Sequence, residues 1–124
     1  FKSGSKGGVF EFASSNELWR ASLDVIDFMP LASVNYSGGI IITDWYTNER
    51  IQNESIKITI RFLTNEIRSD ALNIKIFTRK CKESLINCKY IESNKSLVVE
   101  LKKEILKRAT KFQIEDKEKK NKKK

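Results

Sequence analysis

The sequence predicts a two-layer α+β domain: an antiparallel sheet of three or four strands, with an N-terminal and a C-terminal helix packed on one face. Three observations carry this reading. Apolar residues recur every three or four positions near both ends of the chain, they recur every second position in the middle, and each periodic segment has a single apolar side. Elements with one apolar side bury it most simply when both helices cover the same sheet face, which leaves the opposite face in water. At 124 residues the chain holds one hydrophobic core comfortably and two poorly. We therefore divide it into a flexible segment 1–13, one domain 14–114 and a disordered lysine-rich tail 115–124.

Residues 1–13 mix glycine, serine and lysine around a short VFEFA patch, whose Val9, Phe10 and Phe12 are candidates for docking. FKSGSKGG reads as the interior of a longer chain. The first helix lies in SSNELWRASLDVIDFMP. Ser14, Ser15 or Asn16 caps it, Glu17 suits the positive first turn, and Pro30 marks the stop. Leu18, Ser22, Val25, Ile26 and Met29 form its apolar stripe, widened by Trp19 and Leu23, with Arg20, Asp24 and Asp27 outside it.

LASVNYSGG reads as a connection, after which the period becomes two. A first strand spans 39–46, entered through the backbone freedom of Gly38 and Gly39. IQNESIKITIRFLT sets Ile56, Ile58, Ile60 and Phe62 against Lys57, Thr59 and Arg61, and ALNIKIFTRK sets Leu72, Ile74 and Ile76 against Asn73, Lys75 and Phe77. NEIRSD joins these two as a polar turn, and CKYIES, 88–93, is a weaker fourth strand. SLVVELKKEILKRATKFQI closes the fold as a helix: Leu97 or Val98, Leu101, Ile105, Ala109 and Phe112 face the core, Lys102, Lys103, Lys107 and Lys111 face water, and Ser93, Asn94 or Ser96 caps it. Nothing apolar follows Ile114, so the tail has no burial to offset the entropy of ordering.

Composition narrows the function classes. The net charge is +8, of which the tail 115–124 supplies +3, so the body is basic as well. No apolar run approaches the roughly 20 residues of a membrane-spanning helix. Histidine is absent, which removes the usual proton shuttle near neutral pH and the commonest zinc ligand. Neither a metal nor a cofactor is expected. Cys81 and Cys88 are either free thiols flanking a loop or a disulfide closing a hairpin, and the disulfide suits an oxidising compartment.

The stretch from Leu18 to Tyr46 carries LWRASLD, FMPLAS, a Gly-Gly pair before an apolar strand, and TDWY at its end. With these features the chain resembles a family of short, largely alphaproteobacterial envelope proteins known as a domain of unknown function. The resemblance implies a periplasmic protein, held at the inner side of the outer membrane by a lipid anchor upstream of this segment. The order helix, antiparallel sheet, helix is also similar to the helix-grip modules of the lipoprotein C subunit of the outer-membrane β-barrel assembly machine, a likeness of fold that carries no function. Neither the Cys81/Cys88 pair nor the lysine tail belongs to the family pattern, and the resemblance supplies no catalytic residue.

Candidate sites follow from the residues. Gly38 and Gly39 precede a strand, whereas a phosphate-binding loop runs from a strand into a helix, so they read as strand entry. Asp44 with Asp24, Asp27 or Glu66 would be the acid/base pair of an enzyme. The competing reading makes Asp44 a strand end that accepts hydrogen bonds from a turn or from Arg20 or Arg50. Ser22, Ser33 and Ser37 lack the setting of a nucleophile elbow. Trp45 and Tyr46 point to opposite faces. If Trp45 lies outward it joins Lys57, Arg61, Lys75 and Arg79 in a basic face with an aromatic centre, suited to an acidic peptide, a lipid head group or single-stranded nucleic acid. The same cations also serve simply to solvate a sheet and discourage edge pairing. The expectation is a non-enzymatic envelope interaction or assembly module, binding an envelope protein or anionic lipid surface through Asp44, Trp45, Tyr46, Lys57, Arg61, Lys75 and Arg79. The alternative is a basic cytosolic adaptor that binds nucleic acid through the same face and the tail.

Overall fold

The computed structural model describes residues 16–47, 53–83, 86–92 and 95–122. The N-terminal segment 1–13, Ser14, Ser15, Arg50, Ser93, Asn94 and the last two lysines lie outside the described residues. Helix α1 spans Glu17–Val25, and the Asn16 side chain caps it by accepting the Trp19 N–H at 3.1 Å. The helix ends at Val25 and does not run on to Pro30. A turn follows, with the Ile26 N–H on the Ser22 carbonyl and the Met29 N–H on the Ile26 carbonyl, and through it Ile26 and Met29 still reach the core.

Six antiparallel strands follow among the described residues: β1 Leu31–Asn35, β2 Ile40–Thr43, β3 Tyr46–Thr47, β4 Glu54–Phe62, β5 Leu72–Glu83 and β6 Ile86–Glu92. The order across the sheet is β1-β2-β4-β5-β6, with β3 also paired to β4. This is two strands more than the upper expectation. One is β1, read from the sequence as part of a connection. All five of its residues are exposed on the sheet edge, so no apolar alternation marks it. The other comes from a break in the expected strand 39–46, described below. Between β1 and β2 the chain turns through Tyr36–Gly39, where Gly39 has φ +64° and its carbonyl accepts the Phe62 N–H at 2.8 Å.

One side of the sheet holds the core. Ile41, Ile58, Ile60, Leu72, Ile74 and Ile76 are buried there against Leu18, Trp19, Ala21, Ile26 and Met29 of the α1 region and against Ile105 and Ala109 of helix α2, Lys95–Lys122. Both helices thus pack on the same face. Arg20 and Asp24, placed outside the apolar stripe by the sequence, clasp the helices together. Arg20 lies 3.3 Å from Asp116 with its guanidinium 4.5 Å from the Phe112 ring centroid, and Asp24 pairs with Arg108. Helix α2 continues to Lys122, through the run expected to be a disordered tail. The Arg20–Asp116 contact ties this stretch to α1. Glu115 and Asp116 also stand four residues before Lys119 and Lys120, the favourable order for helix ion pairs, and lysines near a helix C-terminus complement its dipole. No helix among the described residues is long and apolar enough to cross a membrane.

Candidate functional site

Pleating sends every second residue of β4 and β5 away from the helices. The register of the two strands sets these residues in four facing rows: Arg61 with Asn73, Thr59 with Lys75, Lys57 with Phe77, and Ser55 with Arg79. Each row therefore carries one cation. Ile40 and Ile42 of β2 extend the first two rows, and Glu92 and Tyr90 of β6 extend the last two. Thr59, Arg61, Asn73, Lys75 and Phe77 line a shallow depression of about 360 Å³. None of Lys57, Arg61, Lys75 and Arg79 forms an ion pair among the described residues.

Trp45 reaches this face because of a change of phase. Strand β2 pairs with β4 as Ile41 with Ile60 and Ile42 with Thr59, but β3 pairs as Tyr46 with Ile56 and Thr47 with Ser55. One extra residue separates the two registers, which is a β-bulge at Asp44 and Trp45. With uninterrupted alternation, Ile41 and Thr43 on the helix side would be followed there by Trp45. The bulge instead turns Trp45 to the open face and Tyr46 to the helix side, where Tyr46 meets Phe28 edge-on at 5.4 Å. Three hydrogen bonds hold the bulge: Asp44 N–H to the Pro30 carbonyl at 2.8 Å, Trp45 N–H to Asp44 Oδ1 at 2.8 Å, and Ile58 N–H to the buried Thr43 Oγ1 at 2.8 Å. Asp44 thus acts on the backbone that aims Trp45.

The Trp45 ring lies 4.5 Å from the Arg79 guanidinium and 5.8 Å from Lys57 Nζ, with Tyr90 edge-on at 6.0 Å. Beneath it Ser55 is buried, shares a hydrogen bond of 2.9 Å with Thr47, and accepts one of 3.4 Å from Arg79 Nη2. The buried Nε of Arg79 has no hydrogen-bond partner among the described residues. Of the seven residues predicted for the binding face, Trp45, Lys57, Arg61, Lys75 and Arg79 come together on it. Asp44 supports them from the bulge, and Tyr46 faces the helix layer, away from this site. Sequence reasoning missed Tyr90 and the floor formed by Ser55 and Thr47, because their places depend on which rows of separate strands meet.

The other sequence candidates are engaged elsewhere. Asp24 pairs with Arg108, Glu66 pairs with Arg68 at 2.8 Å, and Asp27 is exposed in the turn after α1. Ser22 donates to the Leu18 carbonyl at 2.9 Å, Ser37 to Asn35 Oδ1 at 3.0 Å, and Ser33 lies on the exposed edge strand. Cys81 and Cys88 face each other across β5 and β6 and form a disulfide. No group of three His, Cys, Asp or Glu side chains among the described residues is placed to hold a metal ion.

Comparison with known proteins agrees with the coarser part of the expected resemblance, a bacterial domain of unknown function. The chain is 39% identical over 94 residues to the uncharacterized protein RP420 of Rickettsia prowazekii (strain Madrid E), an alignment covering 74% of this chain and 54% of that protein. The chain thus spans about half the length of the curated relative it matches. No solved structure matches it. Residues 12–114 match the family model of DUF3576, a domain of unknown function. The chain belongs to the DUF3576 family.

Proposed function

We propose that this domain is a non-enzymatic interaction module of the bacterial envelope, and that its open sheet face binds an anionic partner. The observation that carries the reading is the set of four cations on that face, none of them ion-paired among the described residues, two of which, Arg79 and Lys57, stand against the Trp45 ring. Solvation alone asks only for polar side chains. It gives no reason for a bulge that brings an indole out of the core layer and stacks it on a guanidinium. An aromatic anchor with polar groups around it is the usual make-up of a binding centre. The Cys81–Cys88 disulfide supports an oxidising compartment, and with the family resemblance it supports the periplasm, with attachment to the outer membrane through a lipid anchor upstream.

Amide chemical shifts of the isotopically labelled chain test the reading during titration with a glutamate-rich peptide and, separately, with phosphatidylglycerol vesicles. Shifts confined to Lys57–Arg61, Asn73–Arg79 and Trp45 are expected with at least one of the two. Perturbation centred on the lysines of α2, or none with either probe, would remove the open face as the site.

A further inference from the structure

The arrangement of the cations says more than their sum. Successive rows on one face of a strand are two residues, about 6.8 Å, apart. Moving along the sheet, the cation comes from β4 at Arg61, from β5 at Lys75, from β4 at Lys57 and from β5 at Arg79. The charges therefore alternate across the line between the two strands while advancing by one strand repeat per row. An extended peptide has the same repeat for side chains on one of its faces. From this, and resting on the proposed role of the open face, we infer that the partner presents an extended acidic segment whose carboxylates occupy alternate positions, lying along the line between β4 and β5.

The face itself distinguishes such a peptide from single-stranded nucleic acid, whose bases would need open aromatic platforms. Trp45 is already stacked by Arg79, flanked by Lys57 and met at its edge by Tyr90. Phe77 is half-buried at the side of the depression shared with Arg61 and Lys75. Small polar side chains stand opposite two of the cations, Asn73 facing Arg61 and Thr59 facing Lys75. They leave room above the strands and offer donors to carboxylate or backbone oxygens. Glu92 beside Phe77 is an acidic group bordering the rows, and it places one boundary of the acidic segment at the β6 side.

Two synthetic peptides of identical composition test the spacing on the unaltered chain by calorimetry at low ionic strength. One alternates glutamate and threonine, and the other carries its four glutamates as a block. An extended block turns half its carboxylates away from the sheet, so two pairs are lost and the alternating peptide should bind about tenfold more tightly. Arg61→Ala, Lys75→Ala and Lys57→Ala should each weaken the alternating peptide about threefold, whereas Lys103→Ala on α2 should leave it unchanged. Equal affinity for the two peptides, both weakened by the face substitutions, would overturn the spacing inference and leave the open face as an anion-binding surface. Absence of binding by either peptide, with no response from the face substitutions, would remove both. Tighter binding of oligothymidylate of equal charge than of the alternating peptide would overturn the inference in favour of nucleic acid.

Discussion

The two faces of strand β4 lie one residue apart and follow different rules. Toward the helices, Ile58 and Ile60 are buried beside Ile74 and Ile76, and each touches neighbours that would lose contact if it shrank. Toward solvent, Lys57, Thr59 and Arg61 stand beside Phe77, Lys75 and Asn73, and neither helix of the described residues packs on that side. Burial dictates the first set almost completely, because an isoleucine in a dry two-layer interface has few replacements of equal volume. Folding asks only for polarity from the second. The choice of one cation per row, and of an indole delivered by a bulge, is the part of β4 and its neighbours on which the proposed function rests.

The sharpest way to break this comparison is to substitute adjacent residues of β4. Ile60→Ala opens a cavity in the buried core cluster and should cost about 3 kcal/mol of unfolding free energy. Arg61→Ala, one position along, should change stability by less than about 0.5 kcal/mol. Urea denaturation measures both. A loss of comparable size at Arg61 would mean that the open face carries folding energy, and the functional reading of its cations would lose its basis.

A second contrast lies along the sheet. Among the described residues the core is drawn from β5 only as far as Ile76, and neither the rest of β5 nor any part of β6 contributes to it. Where packing supplies little, the Cys81–Cys88 bond joins the outer hairpin directly. Cys81→Ser with Cys88→Ser should lower stability by about 2 kcal/mol, the size expected for closing so short a loop. The loss should appear first as faster amide exchange in β6 and the far half of β5, with Ile58, Ile60 and Ile74 still protected. Thiol trapping in cells should find the native pair oxidised. Equal loss of protection across the whole sheet would show that the hairpin and the core unfold as one unit.

These contrasts also explain what could be read from the residues. The period of two in IKITIRF and NIKIF assigned both faces of β4 and β5 correctly, and the period near 3.6 placed Leu18, Ser22, Ile105 and Ala109 in the interior, because each segment has only one side it can bury. Asn16 was legible only as one of three possible caps with Ser14 and Ser15, each having a side-chain oxygen for the task. Strand β1 was not, since a strand exposed along its whole length has no alternation to show. Nor was the extension of α2 to Lys122, which rests on Asp116 meeting Arg20 ninety-six positions away. The direction of Trp45 depends on one inserted residue at Asp44. A bulge reverses every facing after it, and TDWY carries no mark that says which of its residues is the extra one.

The smallest expected effect concerns the turn that starts this phase-sensitive strand, where the comparison narrows to two neighbouring glycines. Gly39 sits at φ +64°, and a Cβ there would come within 3.2 Å of the Phe62 carbonyl oxygen, a backbone atom held in the sheet. Gly38 has no such backbone requirement, and the nearest atoms to a Cβ on it would be those of the Asn35 side-chain amide, at 3.2–3.3 Å. Gly39→Ala should cost about 1 kcal/mol or somewhat more, from the left-handed conformation and the close carbonyl together. Gly38→Ala should lie near zero, because the lower entropy of the unfolded chain offsets a small adjustment of Asn35. Thermal unfolding of the two variants side by side separates them. The register from Ile40 onward begins at this turn, so the Trp45 indole N–H chemical shift of Gly39→Ala, resolved from that of Trp19, provides a second readout. A Trp45 shift unchanged from the parent, alongside lowered stability, would place the cost in the turn alone and leave the bulge as the device that aims the indole.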